Sequence, residues 1–100
     1  MYSVVWKYIV KEENQMIFET EYGKQGTWAK LFSDSESYLG SILSIKEDSK
    51  STYLLIDNWA DKKSYDSFKI INSVIYNRLS SEFETLYENE EKIGEFNSIN

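Results

Sequence analysis

One hundred residues make a single domain, predicted to span 1–100, with room for one modest core. The chain has no Cys and no His, so a disulfide frame, thiolate chemistry, Ser-His catalysis and the usual zinc ligands are all excluded. Its 17 acidic side chains outnumber 11 basic ones, which leaves no cationic stripe for nucleic acid, and 16% of the residues are aromatic, which points to an aromatic interior.

The first segment, Tyr2 to Val10, is dense in β-branched and aromatic residues and predicts a strand. It is too short to span a bilayer and has no basic leader or small-residue cleavage site, so the reading is a mature cytoplasmic protein without a membrane partner. From Glu12 to Tyr22 the apolar Ile17, Phe18 and Tyr22 recur at helical spacing, and Gly23 stands where a helix end uses a left-handed residue. Gly26 and Thr27 then precede Trp28, Leu31 and Phe32, whose spacing puts three large side chains on one side of a short helical turn.

Tyr38 to Ile45 predicts a second strand, with Leu39, Leu43 and Ile45 on one face and Tyr38, Ile42 and Ser44 on the other. The polar loop Glu47 to Ser51 joins it to a third strand, Thr52 to Trp59, in an antiparallel hairpin. Beyond Asp61, steps of three and four through Tyr65, Phe68, Ile71, Ile75, Leu79, Phe83 and Leu86 predict a long amphipathic helix. Ser81 and Glu84 have capping-box spacing, so a break is expected there. Ile93 and Phe96 beside Gly94 predict a short fourth strand. The six Glu and single Lys between Glu82 and Glu95 read as a solvated helix face rather than a cation site.

The order β, α, β, β, α, β with right-handed crossovers predicts an α+β, ferredoxin-like βαββαβ fold. Its antiparallel sheet has strand order 4-1-3-2 and both helices on one face. Strand one sets Tyr2, Val4, Trp6 and Tyr8 against Val5 and Ile9; strand three sets Tyr53 and Leu55 against Leu54 and Ile56. Two helices cover one face only, so the second apolar face predicts a homodimer through the open sheet.

The run Tyr22-Gly23, Gly26, Trp28-Ala29, Leu31-Phe32, Tyr38-Leu39-Gly40, Tyr53 to Asp57 and Trp59 resembles the antibiotic biosynthesis monooxygenase family of dimeric α/β barrels. Tyr65, Phe68, Tyr76, Leu79, Glu91, Ile93-Gly94 and Phe96 extend the resemblance over most of the chain. It implies oxygenation without metal, flavin or other cofactor. A polycyclic phenolic substrate lies between sheet and helices, and its ionised form passes an electron to oxygen. The family's Asn, Trp, Tyr and Arg map onto Leu55, Trp59, Tyr65 and a position within one residue of Arg78, so the Asn is absent. A haem-degrading branch of the same fold needs a strand-one Asn and a His, neither of which is present.

Each candidate has a plainer role. Trp59 either lines a pocket mouth or plugs the core edge, and in both roles its N–H requires a hydrogen-bond partner. Asp57 is either a desolvated general base or a cap near Asp61. Arg78, the only Arg, either binds an anionic substrate or pairs with a surface carboxylate. Tyr65 and Tyr76 are stripe residues whose hydroxyls could face a ligand, and Tyr22, Trp28, Phe32 and Phe68 supply walls. Three functions follow: a cofactor-independent monooxygenase on a small phenolic or polycyclic aromatic compound, with Trp59, Tyr65, Arg78 and Asp57 as its catalytic set; a non-catalytic dimer binding a small aromatic ligand; or an accessory partner of a larger enzyme that docks through the acidic segment 82–95.

Overall fold

The computed structural model describes residues 1–100. Strand β1 runs over Tyr2–Val10, and a 3-10 turn at Glu12–Asn14 leads into α1 at Gln15–Tyr22. Then come α2 (Thr27–Phe32), β2 (Tyr38–Ile45), β3 (Thr52–Trp59), α3 (Lys62–Ile71), α4 (Ser73–Phe83), a second 3-10 turn at Glu84–Leu86, and β4 (Tyr87–Asn97). The sheet is antiparallel with order β2-β3-β1-β4, the topology the element order predicts.

Alternation on the two central strands decides what is inside. Tyr2, Val4, Tyr8 and Val10 of β1 and Tyr53, Leu55, Asp57 and Trp59 of β3 are buried beneath the helices, and all but Asp57 are apolar or aromatic. They meet Phe18 and Tyr22 of α1, Trp28 and Phe32 of α2, Tyr65 and Phe68 of α3 and Leu79 of α4. The opposite face is uncovered: Ile42, Leu54 and Phe96 are exposed, and Val5, Ile9 and Ile56 are partly so. No helix is long and apolar enough to cross a membrane.

Five local expectations need correcting. Gly23 is not left-handed; its φ is −72°, and a Cβ there would stand 2.6 Å from the Glu19 carbonyl oxygen, so close approach is what demands glycine. Gly40 does take a positive φ, 107°, in a register shift between Tyr38 and Gly40. That irregularity turns Tyr38 inward onto Trp59, on the same face as Ser41 and Leu43, and breaks the simple alternation expected of β2. The long helix breaks at Asn72, not at Ser81, because the Asn72 side chain donates to the Phe68 carbonyl and competes with the backbone ladder. The break shifts the stripe, leaving Ile71 80% exposed. Finally, β4 has 11 residues, and the acidic run lies mostly on this edge strand rather than on a helix; charge suits an edge that must not pair with strangers.

Candidate functional site

Between sheet and helices lies a cavity of about 30 Å³, walled by Trp6, Tyr8, Tyr22, Trp28, Phe32, Leu55, Asp57, Tyr76, Ser80, Tyr87 and Glu90. It holds one water-sized group. Depressions of about 690 and 580 Å³ beside α3 and along β2 are open surface grooves with no buried carboxylate, so the chemistry points to the smaller interior space.

Asp57 is its distinctive member. The period of β3 carries Asp57 inward between Leu55 and Trp59, and the register places it between Val4 of β1 and Ser41 of β2. Only 6% of it is exposed. Ser41 Oγ donates to Asp57 Oδ1 at 2.6 Å, and the Tyr38 hydroxyl is hydrogen-bonded to Ser41 in turn. No protein group donates to Oδ2. Burial disfavours the charged form and pushes the Asp57 carboxyl up to about 6, while the Ser41 hydrogen bond pulls the other way. Asp57 is no helix cap; the cap of α3 is Asp61, which accepts from the Ser64 N–H at 2.8 Å.

The tyrosines of the wall are held neutral. Burial, then the charges of Asp57 and Glu90, push Tyr76 up to about 12. Burial and Glu90 push Tyr87 up to about 12 as well. Tyr8 donates to Glu90 Oε2 at 2.7 Å and is raised further, chiefly by burial. Tyr22 is raised by burial, although the nearby Trp28 indole favours its ionised form without making a well-formed hydrogen bond to it. The wall therefore offers one ionisable carboxylate at Asp57, a second at the Glu90 rim, and neutral hydroxyls.

The predicted residues divide. Asp57, Tyr22, Trp28, Phe32 and Tyr76 share the cavity wall. Trp59, Tyr65 and Phe68 instead form a packed cluster beside it: Trp59 is wholly buried, with ring centroids 5.4 Å from Phe32, 5.4 Å from Tyr65 and 5.3 Å from Phe68. The partner expected for the Trp59 N–H is missing, as are partners for Trp28 Nε1 and the Tyr2 hydroxyl. Arg78 stands apart, exposed on α4 and without an ion pair. Sequence reasoning did not reach Ser41 and Tyr38, whose place beside Asp57 depends on the Gly40 irregularity, or Tyr8, Tyr87 and Glu90, which depend on the full length of β4. The inward alternation of Tyr53, Leu55, Asp57 and Trp59 was the usable signal. No cluster of three or more metal-ligating side chains forms.

No protein-family model matches the chain, and no curated protein is recognisably similar to it. Solved structures do match. SnoaB, a cofactor-independent oxygenase from Streptomyces nogalater, superposes with a TM-score of 0.73 at 16% identity, covering 99% of this chain and 93% of that one. A Deinococcus radiodurans protein assigned as an antibiotic biosynthesis monooxygenase gives 0.77 at 9% identity over 100% and 94%. A conserved protein from Methanosarcina mazei Go1 gives 0.71 at 15% over 97% and 91%. At such identities likeness speaks for architecture and leaves activity to the site. The fold of this chain is that of the antibiotic biosynthesis monooxygenases.

Proposed function

We propose that this chain is a cofactor-independent monooxygenase acting on a small phenolic compound, with Asp57 as the base. The observation that carries this is a single buried carboxylate, with its pKa near 6, one oxygen held by Ser41 and the other free of protein donors, in a wall of aromatic rings. Such a group is ionised at neutral pH and still basic enough to take a proton. In the proposed reaction Asp57 removes a proton from the phenolic substrate, the substrate anion passes one electron to dioxygen, and the resulting pair joins in a carbon–oxygen bond. Loss of water from the peroxide, using the proton held by Asp57, converts a ring methylene to a carbonyl; one oxygen atom enters product and the other leaves as water.

Leu55 lines the wall where the resemblance would have an Asn, so the carboxylate takes the polar role on β3. At about 30 Å³ the cavity is far below the roughly 300 Å³ of an ordinary ligand site, so a ring enters only when the half-buried Tyr76 or Tyr87 turns aside. That small volume favours a second reading, a binder without chemistry. Oxygen uptake by the metal-free protein with anthrones, which carry such a methylene, tests the first. Asp57→Asn lowers the rate by about 100-fold or more if Asp57 is the base. Ligand affinity without oxygen uptake leaves only the binder.

The proposal includes a homodimer through the uncovered sheet face, where Ile42 stands opposite Ile56 and Phe96 is 52% exposed. Burying several such side chains at about 1.5 to 3 kcal/mol each favours association. Sedimentation at micromolar concentration is expected to show a dimer, and Ile56→Asp a monomer or unfolded chain; a stable wild-type monomer overturns it.

A further inference from the structure

We infer that Lys69 and Lys92 form an anion-reading rim on the cavity, so that its ligand is an aromatic ring bearing an acidic substituent away from the hydroxyl that meets Asp57. This rests on the reading that the cavity admits an aromatic ligand. The Lys69 ammonium lies 5.2 Å from the Tyr65 ring centroid and 5.1 Å from that of Tyr76, and the Lys92 ammonium lies 5.6 Å from that of Trp6. Tyr76 and Trp6 both belong to the cavity wall. Two elements, α3 and β4, thus each lay a cation over a ring that encloses the same space.

The two differ in how far their charge is already answered. Lys92 pairs with Glu95 at 3.2 Å, whereas Lys69 has no carboxylate within ion-pair distance. The acid nearest to Lys69 on its own helix, Asp66, is taken by Lys62 at 2.6 Å. Burial first, and then the charges of Lys69 and Lys62, favour the neutral form of Lys92 against a smaller opposing pull from Asp66, so these ammoniums lie near enough to repel one another. In a chain of net charge −6, cations gathered against their own repulsion at the edge of an aromatic cavity are relieved by an incoming anion. Cation–π contact holds Lys69 over the rings while leaving its N–H groups free to donate. Arg78, the cation the sequence suggested for this task, is exposed on α4 and takes no part in the wall.

The test compares para-hydroxybenzoate with its uncharged analogue para-hydroxybenzamide, by calorimetric titration of the full chain at neutral pH and low salt. Wild type is expected to favour the acid by about tenfold. Lys69→Met abolishes most of that preference, Lys92→Met reduces it, and Lys69→Arg restores it; circular dichroism checks that each variant is folded. Added salt narrows the preference in wild type by more than it narrows the remainder in Lys69→Met. Equal affinity for the two probes in wild type, a preference undiminished in both Met variants, or no binding of either probe overturns the inference. Preference for the acid in a protein that consumes no oxygen supports the rim and counts against the monooxygenase reading alone, which keeps the two failures apart.

Discussion

The aromatic interior has two ends built from the same residue types but in opposite states. At one end Phe32, Trp59, Tyr65 and Phe68 pack with ring centroids 5.3 to 5.5 Å apart and leave no hollow between them. At the other, Tyr8, Tyr22, Trp28 and Tyr76 surround a void that contains a carboxylate. Phe32 belongs to both. The difference comes from β3: Trp59 fills the strand end, and two residues earlier Asp57 is too short to do so. A large ring makes a plug, and a small charged group in the same layer makes a site.

Breaking the packed end is expected to have the largest effect. Trp59→Ala deletes a wholly buried indole from among four rings and costs about 3 to 5 kcal/mol in urea unfolding. Trp59→Phe costs less, since it keeps a ring and removes an N–H that has no partner. Neither changes ligand affinity in proportion to stability if Trp59 is a plug. An affinity loss with stability intact would place Trp59 in the site and erase the distinction between the two ends.

The cavity end shows itself in pH dependence. Burial raises the Asp57 carboxyl from 3.8 to about 6, so between those values the folded chain binds more protons than the unfolded one. The Asp57 contribution to stability is therefore fully present below the unfolded pKa and is lost as pH rises through 6, by about 3 kcal/mol in total. Asp57→Asn removes that slope, and urea unfolding from pH 4 to pH 8 checks it. Parallel profiles for wild type and Asp57→Asn over the same range would show Asp57 to be ordinary.

A smaller effect isolates Ser41. Its hydroxyl donates to Asp57 Oδ1 and is the contribution that holds the carboxyl down. Ser41→Ala is expected to move the Asp57 midpoint, followed by carboxyl carbon NMR, upward by about one pH unit. Tyr38→Phe shifts it less, because that hydroxyl reaches Asp57 only through Ser41.

At the packed end the inward direction of the side chains was legible in the sequence, though Trp59 and Tyr65 were expected in the catalytic set and Phe68 in the substrate wall; the cavity end was legible only in part, for a physical reason. Periodicity reports which side chains face inward, and Trp59, Tyr65 and Phe68 needed no more than that. The strands Tyr2–Val10, Tyr38–Ile45 and Thr52–Trp59 were fixed by the same signal. A void depends on what lies across from what. Ser41 meets Asp57 because an irregularity at Gly40 resets the register, and Glu90 meets Tyr8 because β4 is paired along its length despite the four consecutive Glu and Asn residues, Glu88 to Glu91, in its first half. Neither event has a local propensity to announce it. The helix break misled for a similar reason, since Ser81 has the spacing of a cap but Asn72 has the carbonyl within reach.

The smallest effect asks whether the two ends act separately. Tyr65 belongs to the packed cluster and Tyr76 to the cavity wall; burial raises both hydroxyls and the nearness of Tyr76 raises Tyr65 further, although no well-formed hydrogen bond joins the two. Lys69 lies over both rings. The two rings are therefore near neighbours under one ammonium, one from each end. Tyr65→Phe and Tyr76→Phe each remove a hydroxyl while keeping the ring, at about 1 kcal/mol apiece, and the double variant is expected to cost about 0.5 kcal/mol or more less than their sum. Coupling of that size is what two neighbouring hydroxyls that bond to each other in solution produce, because removing either one already removes the partner of the other. Strict additivity in urea unfolding would mean that the hydroxyls do not touch in solution, and the plug and the cavity would then be independent neighbours.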